Sequence, residues 1–235
     1  MRKFVLALSL FGLAAGALAQ ATPAATPAAP TSKRAAAAAW TEDGLQKTSI
    51  KGIDVAFARP GASLAPYRKV LLRPIDVSFR RDWGRPSSST AVRVRPQDAQ
   101  RIRDKLEALI REEAARELAA GGYAVVDRAG DDVLAVEAAI VDLYLVAPDV
   151  PGAEGVRVYS VSAGEMTLVA DLRDSVSGDT VLRIYDHAEA TDTGRIRHIT
   201  RAENAGEARR AAKAWAGILR RQLDAARGVA APAMK

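Results

Sequence analysis

Two stretches of the chain repeat their apolar residues with the 3.6-residue period of an α-helix. In the first, from Gln97 to Ala120, charged residues fill the positions between Ile102, Leu106, Leu109, Ile110, Ala114 and Leu118. Pro96 suits a first helical turn, and Gly121-Gly122 supplies the left-handed conformation that commonly ends a helix. The second, from about Glu203 to Ala226, aligns Ala208, Ala212, Trp215, Leu219 and Leu223. We therefore expect two long amphipathic helices, with Trp215 in the core.

Six other segments have the apolar patterns of β-strands. They are residues 53–58, 69–79, 123–127, 133–147, 157–173 and 180–191, and Ser177-Gly178 marks a hairpin turn between the last two. Pro74 interrupts the second segment. Because proline cannot donate a hydrogen bond to a neighbouring strand, we expect an edge position or a bulge there. The nearly continuous apolar run at 133–147 is typical of a central strand covered on both faces.

The order of these elements predicts the fold class. Strands are followed by a helix, more strands and a second helix, and hairpins join several of the strands. We therefore expect an α+β two-layer sandwich, in which two long helices lie on one face of a mostly antiparallel sheet. The chain has no internal repeat and no second linker, so residues 40–227 are predicted to form a single domain.

The N-terminal residues predict export from the cytoplasm. Met1-Arg2-Lys3 is a short positive region, residues 4–15 are apolar, and Ala17-Leu18-Ala19 places small residues where a signal peptidase reads. An uncleaved anchor is the alternative, but the apolar run is shorter than the ~20 residues of a spanning helix. We expect a signal peptide of residues 1–19 with cleavage near Ala19, no stable transmembrane segment afterwards, and a periplasmic or secreted protein.

Two segments have compositions that do not support a packed core. Residues 20–39 consist mainly of alanine, proline and threonine without large apolar side chains, which predicts a disordered linker. Residues 228–235 are predicted to form a flexible tail. The globular part of the chain is therefore expected between these two segments.

Composition mainly excludes classes of function. The 235 residues are 49% hydrophobic and 26% charged, as in ordinary globular proteins, which excludes a polytopic membrane protein and a wholly disordered chain. The formal net charge of +6 is small for a dedicated nucleic-acid binder of this length, so no nucleic-acid partner is expected.

Signals for metal or cofactor binding are weak. The chain has no cysteine and only two histidines, which leaves no thiolate ligand and little for a zinc site. Asp171, Asp174 and Asp179 surround the Ser177-Gly178 turn, but they lack the regular alternation and the terminal glutamate of a calcium loop. We interpret them as turn-capping carboxylates, and we expect no metal and no cofactor.

Charge is distributed unevenly along the chain. Residues 80–103 hold seven arginines and two aspartates, net +5, and residues 195–221 hold eight basic and two acidic residues, net +6. Residues 127–149 hold six acids and one arginine, net −5. If the two basic stretches lie on one side, that side would attract anionic lipid, lipopolysaccharide or an acidic partner. The alternative is that they are solvated helix faces and loops, with Arg80 or Arg81 paired to Asp82 or to the acidic segment.

The most distinctive short segment is Arg80-Arg81-Asp82-Trp83. It follows an apolar strand and precedes a Pro- and Ser-rich stretch, which predicts a loop at a sheet end, where function is often located. Arginine and tryptophan are enriched in binding hot spots. We therefore assign Arg80, Arg81, Asp82 and Trp83 as the candidate binding residues. In the structural alternative, Trp83 covers the core and Arg81 pairs with a carboxylate of the acidic segment.

Support for catalysis is limited to one place. Asp186-His187 together with His198 could provide acid–base chemistry, and this is the basis for an alternative function as a hydrolase-type enzyme. The chain has no nucleophile elbow, no phosphate-binding glycine loop and no dinucleotide fingerprint. We assign no catalytic residue and do not expect an enzyme.

Several segments together resemble a known family. They are Trp40 with Asp43-Gly44-Leu45, Arg59-Pro60-Gly61 with Tyr67-Arg68-Lys69-Val70, Val77-Ser78-Phe79-Arg80-Arg81-Asp82-Trp83, Gly122-Tyr123, Ala147-Pro148-Asp149, Gly164-Glu165, Leu172-Arg173-Asp174-Ser175 and Trp215-Ala216. This pattern is similar to the bacterial envelope proteins grouped as the domain of unknown function 3313 family (DUF3313), over residues 40–227. Many relatives resemble lipoproteins with a cysteine at the signal-peptide junction, where this chain has Ala19-Gln20. The resemblance implies the bacterial envelope and a single domain, and it implies no activity.

These observations favour a periplasmic, non-catalytic accessory or binding protein of the bacterial envelope. The alternatives are the hydrolase and a module that contacts anionic envelope surfaces. The expected partner is an envelope protein or an anionic surface.

Overall fold

The computed structural model of the protein describes residues 43–83, 94–146, 158–160, 164–190 and 197–229. The predicted signal peptide, the linker at 20–39 and all but two residues of the predicted tail lie outside these ranges. Within them, neither helix combines the length and the hydrophobicity needed to cross a bilayer. The elements are β1 Gln46–Thr48, β2 Val55–Ala58, β3 Lys69–Leu72, β4 Asp76–Phe79, α1 Pro96–Ala120, β5 Ala124–Val126, β6 Val133–Leu145, β7 Val158–Ser160, β8 Gly164–Asp174, β9 Thr180–Glu189, β10 Arg197–Ile199 and α2 Arg201–Ala226.

Eight of these strands form one sheet with the order β1-β2-β9-β8-β6-β3-β5, and β4 pairs with β6 beyond the end of β3. The pairings from β1 through to β6 are antiparallel. β6 pairs in parallel with β3 and β4, and β3 pairs in parallel with β5. The fold is α+β as predicted, but the sheet is mixed, because α1 is a crossover that returns the chain in the direction of β3 and β4.

The predicted long strand around Pro74 is broken there into β3 and β4. β3 has a neighbour on each side, so it is not an edge strand, and Pro74 lies in neither strand. Side chains of α1 form hydrogen bonds with the backbone where β3 ends and β4 is about to begin. Arg111 Nη1 donates to the carbonyl oxygen of Leu72 at 2.9 Å, and the Ile75 N–H donates to Glu107 Oε1 at 3.3 Å.

Other differences from the predicted elements concern short strands. The segment at 157–173 is divided into β7 and β8, and β7 pairs with β10 in a separate two-stranded sheet. The sequence did not predict β1 or β10. Both are three residues long, which is too short to show an alternating pattern.

The two helices lie side by side and run in the same direction. Glu113 pairs with Arg209 at 3.1 Å, and one turn further along both helices Glu117 lies 3.9 Å from Lys213. Thr200 begins α2, where its Oγ1 accepts the Glu203 N–H at 3.2 Å. The C-terminal half of α1 therefore lies beside the N-terminal half of α2.

The core consists of two main clusters, each with residues from both helices. One contains Leu118, Tyr123, Leu134, Leu223 and others, and the second contains Ile102, Leu106, Ile140, Met166, Leu168 and Trp215. Alternate residues of β8, from Met166 to Leu172, belong to these clusters, as expected for one face of a strand. Trp215 is 8% exposed, which confirms its predicted place in the core.

Candidate functional site

A cavity of about 510 Å³ lies between the N-terminal halves of the helices and one end of the sheet. Its lining comes from the end of β6, the start of β8, the end of β9 and both helices. The main lining residues are Ile102, Lys105, Leu106 and Leu109 of α1, Leu143 and Leu145 of β6, Gly164, Glu165 and Met166 of β8, Ala188 and Glu189 of β9 with Ala190, and Asn204, Ala205, Glu207, Ala208, Arg210, Ala211 and Ala214 of α2. Most of this wall is aliphatic.

The space between the helices results from a row of alanines on α2. Ala205, Ala208, Ala211 and Ala214 recur at every third position and all line the cavity. Consecutive members of this row are neighbours on the helix surface, and the row winds partly around α2 as it advances. Opposite them, α1 presents larger aliphatic side chains, so the small side chains on α2 leave the gap unfilled.

A β-bulge in β6 turns two leucines toward the cavity. From Ile140 to Leu143, β6 has one residue more than the paired stretch of β4, Val77 to Phe79. β6 also has one extra residue relative to β8 at this place. Before the bulge, even-numbered residues such as Ile140 pack with the helices; after it, Leu143 and Leu145 do so. Asp142 lies in the bulge with a φ of 54°, a left-handed conformation that aspartate tolerates better than most residues.

Gly164 brings the backbones of β8 and β6 together at the cavity wall. It pairs with Leu145 in the ladder and has a φ of 151°, which L-residues rarely adopt. A Cβ atom at this position would collide with the carbonyl oxygen of Tyr144. Only glycine therefore fits this approach.

Charged residues of both signs lie around the cavity. Arg210 Nε donates to Glu207 Oε2 at 3.1 Å, and Glu165 is paired with Arg80 from the end of β4. Lys105 and Glu189 are also among the lining residues, and both are exposed. The charges are therefore approximately balanced, and several are paired with each other.

The predicted binding residues lie directly beside this cavity. Trp83 Nε1 donates to the carbonyl oxygen of Leu145 at 3.0 Å, and the Trp83 ring stacks on Phe79 with 3.9 Å between ring centroids. Arg80 Nε donates to Asp82 Oδ1 at 2.6 Å. Arg81 is exposed and makes no hydrogen bond or ion pair with a residue that the structure describes. Trp83 and Arg80 are thus held in place, and Arg81 is presented to solvent.

Asp186 and His187 do not form a common site. Asp186 Oδ2 accepts the Trp215 Nε1–H at 2.7 Å, toward α2, whereas His187 Nδ1 lies 3.1 Å from Thr167 Oγ1. Neighbouring residues of a strand point to opposite faces. Burial raises the pKa of Asp186, against the lowering effect of the hydrogen bonds from Trp215 and the Asp54 N–H. The side chain of His198 lies outside the described part of the structure.

Of the three aspartates near the Ser177-Gly178 turn, Asp174 is a capping residue as predicted. Its Oδ1 accepts the N–H groups of Val176 and Ser177 at 3.0 and 2.8 Å, and the Ser177 bond is the main cause of its lowered pKa. Tyr67 OH donates to Asp174 Oδ2 at 3.0 Å; burial first, and then this bond, raises the pKa of Tyr67 to about 12. Among the described residues, no group of three or more candidate ligands could hold a metal ion.

Asp171 differs from the prediction, because it lies within β8 and belongs to an ion-pair network. Arg183 donates to both of its carboxylate oxygens, at 2.6 and 2.7 Å, and Arg173 Nη2 donates to it at 2.8 Å. Arg183 also pairs with Asp43 at 2.8 Å, and Arg173 pairs with Glu137 at 2.9 Å. The network thus joins β6, β8 and β9 to the segment that precedes β1.

The basic residues of α2 are mostly paired within the fold. Arg209 contacts Glu113, Arg210 contacts Glu207, and Arg220 Nη1 lies 3.1 Å from Asp224 Oδ2. This face of α2 is therefore largely ion-paired. The pairing reduces the positive charge that α2 could offer to an anionic surface.

The cavity was not predicted from the sequence. Two signals point to it in retrospect: the alanines at every third position of α2, and the change from even to odd apolar positions between Ile140 and Leu143. Neither signal predicts a cavity alone, because its size depends on how closely the helices approach each other.

Comparison with known proteins identifies the family of the chain. No protein with a curated description matches it. Among solved structures, a PelC dodecamer from Paraburkholderia phytofirmans is 13% identical, covers 72% of this chain and 96% of its own, and has a TM-score of 0.31. A minor lipoprotein from Acinetobacter baumannii is 14% identical, covers 68% of this chain and 95% of its own, and has a TM-score of 0.33. These TM-scores are too low for either structure to indicate the function of this chain. The sequence model of the family described as "Protein of unknown function (DUF3313)" matches residues 38–219, and the chain belongs to this family.

Proposed function

We propose that this protein is a non-catalytic binding protein of the bacterial envelope that holds a small apolar ligand in the cavity. The cavity itself is the observation that carries the proposal. Its volume of about 510 Å³ is typical of small-molecule sites, which are mostly apolar with a few polar groups that orient the ligand. Asp186 and His187 point to opposite faces of the sheet, and this separation weighs against acid–base catalysis.

In this proposal, both helices cover the same face of the sheet and form the second layer of a two-layer sandwich. The support is that the residues of β8 that alternate from Met166 to Leu172 share clusters with α1 and with α2. The ligand would then enter at the end of the sheet, where the small side chains of the alanine row leave space between the two helices.

We also propose that the protein is exported and released by cleavage after Ala19. Residues 20–39 would then be a linker to the domain at 40–227, and residues 228–235 a flexible tail. The support is the signal-peptide pattern and the family resemblance. N-terminal sequencing of protein from a periplasmic extract should give Gln20; Met1 on a protein retained in the membrane fraction would contradict this proposal.

The segment Arg80-Arg81-Asp82-Trp83 remains our candidate for partner recognition. It borders the cavity through the bond from Trp83 to Leu145 and the pair between Arg80 and Glu165. Arg81 is the exposed member, so it is the side chain that we expect to contact a partner. Conversely, Trp83 would position the segment instead of contacting the partner directly.

Ligand binding can be tested with N-phenylnaphthylamine, an uncharged probe that fluoresces in apolar surroundings. We expect saturable binding of one probe per chain. Ala211→Leu should fill the cavity and weaken binding at least tenfold, whereas Ala225→Leu, the same change at an exposed position of α2 outside the cavity, should leave it unchanged. Absence of saturable binding, or equal binding by both variants, would refute the proposed function.

A further inference from the structure

The chemistry of the cavity wall limits the class of ligand. Its described lining contains no aromatic side chain, and its most buried members are Ile102, Leu106, Leu143, Met166 and Ala190. Planar ligands and cationic groups are commonly held by Trp, Tyr or Phe rings. A wall of aliphatic side chains and one thioether instead favours a flexible aliphatic ligand, which gains its affinity from burial of methylene groups.

The shape of the wall points to a linear ligand. The alanines from Ala205 to Ala214 span about 14 Å along the axis of α2 at 1.5 Å per residue, and their row is inclined to that axis because it advances three residues at a time. α1 runs beside α2 in the same direction and lines the cavity from Ile102 to Leu109, so the cavity forms a groove that is elongated along the two helices. A single unbranched chain can lie along the whole length of such a groove.

The charges around the cavity limit the head group. Among the residues that the structure describes, Lys105 and Arg210 line it together with Glu165, Glu189 and Glu207, and Arg80 pairs with Glu165 from outside, which gives three charges of each sign. A head group with a net charge would meet no excess of the opposite sign. An uncharged or zwitterionic head group can form hydrogen bonds with both kinds of side chain without leaving one of them unbalanced.

From these three observations we infer that the ligand is an amphiphile with one unbranched alkyl chain and a head group without net charge. This inference rests on the proposed function, because it names the ligand class of the same cavity. The chain lies between Ala205–Ala214 of α2 and the leucines of α1, and the head group lies among the charged side chains.

The test is displacement of N-phenylnaphthylamine by hexyl, octyl and decyl maltosides and phosphocholines below the concentrations at which they form micelles. Each buried methylene contributes about 0.8 kcal/mol, so affinity should rise about fourfold per added methylene until the groove is full. Decyl sulfate and decyltrimethylammonium should bind no tighter than decyl phosphocholine. The affinity of decyl maltoside should change less than about twofold on addition of salt, since no net charge is involved.

Variants separate binding in the groove from attachment elsewhere. Ala211→Leu, and Ala205→Leu at an exposed position of the same row, should remove the dependence on chain length, and Ala225→Leu should retain it. Lys105→Glu gives the cavity an excess of negative charge and should shift the preference several-fold toward decyltrimethylammonium over decyl sulfate. Circular dichroism melts of each variant establish that the fold is intact.

The outcomes distinguish this inference from the proposed function. If the probe binds in the cavity but affinity does not depend on chain length, the inference fails and the proposed function stands. A preference of tenfold or more for either charged head group, lost at high salt, also overturns the inference. If neither the probe nor any amphiphile binds, both fail.

Discussion

Replacement of Trp83 with alanine should destabilise the domain, because Trp83 is fixed by two specific contacts. Its Nε1 donates to the carbonyl oxygen of Leu145 at 3.0 Å, and its ring lies 6° from parallel with Phe79 at a centroid distance of 3.9 Å. The ring also packs against the core cluster that contains Ile140 and Met166. Alanine would remove all three interactions.

The expected loss follows from the size of each interaction. A net hydrogen bond contributes about 1 kcal/mol, and a stacked aromatic pair about 1 kcal/mol beyond its buried area. Truncation of a fully buried tryptophan costs roughly 3–5 kcal/mol, and Trp83 is only half-buried, so we expect a loss of about 3 kcal/mol. For a domain of this size, that loss lowers the melting temperature by about 6–12 °C.

Thermal and urea unfolding, followed by circular dichroism, measure this loss. Trp83→Phe is the matched variant, because it keeps an aromatic ring on Phe79 and removes only the hydrogen bond, so it should lose about 1 kcal/mol. Arg81→Ala should melt like the unmodified protein, since Arg81 is exposed and unpaired among the described residues. It should instead weaken capture of an envelope partner.

A melting temperature of Trp83→Ala within about 2 °C of the unmodified protein would refute this reasoning. It would mean that the ring contributes little to the fold and is available to contact a partner. A strong loss of stability in Arg81→Ala would be a separate contradiction, because it would require a structural contact for that side chain.

Three further predictions concern other parts of the fold. Arg183→Met leaves the largely buried Asp171 carboxylate with fewer partners and should cost about 3 kcal/mol in urea unfolding; a loss below about 1 kcal/mol would contradict a structural role of the ion-pair network. Gly164→Ala forces a Cβ atom against the Tyr144 carbonyl, which should lower the free energy of unfolding by about 3 kcal/mol and weaken N-phenylnaphthylamine binding. An unchanged melt together with unchanged binding would show that β6 and β8 approach each other less closely. Burial raises the pKa of Asp186 in the folded state, so just above the ordinary carboxyl pKa the native protein binds more protons than the unfolded chain. The stability of the protein relative to Asp186→Asn should therefore fall as pH rises from about 4. A relative gain in stability over that range would contradict the direction of the pKa shift.

The predictions that succeeded are those that depend on local patterns. The stripe that includes Ile102 and Leu106, with Pro96 before it and Gly122 after it, specifies a helix, and the structure has α1 at Pro96–Ala120. Gly122 has a φ of 78°, the left-handed conformation expected at the helix end. Asp174 caps its turn because the carboxylate reaches N–H groups two and three residues further along the chain.

The predictions that needed correction depend on neighbours distant in sequence. Pro74 signals an interruption of the strand, but the presence of β5 and β6 on either side of β3 is decided by how the chain returns through α1. Asp171 has the spacing of a turn residue, yet its partner Arg183 is brought to it by the pairing of β8 with β9. Such contacts depend on register and topology, which local patterns do not specify.

Sequence patterns were enough to predict the α+β class, both helices, most of the strands, the core position of Trp215 and the resemblance to the family. This was possible because apolar periodicity, caps and turn residues act within a few positions along the chain. Only the folded chain reveals the mixed sheet, the separation of Asp186 from His187 and the cavity beside Trp83. These features arise where elements distant from each other along the chain meet, and the space left between packed side chains depends on the distance between helices and sheet.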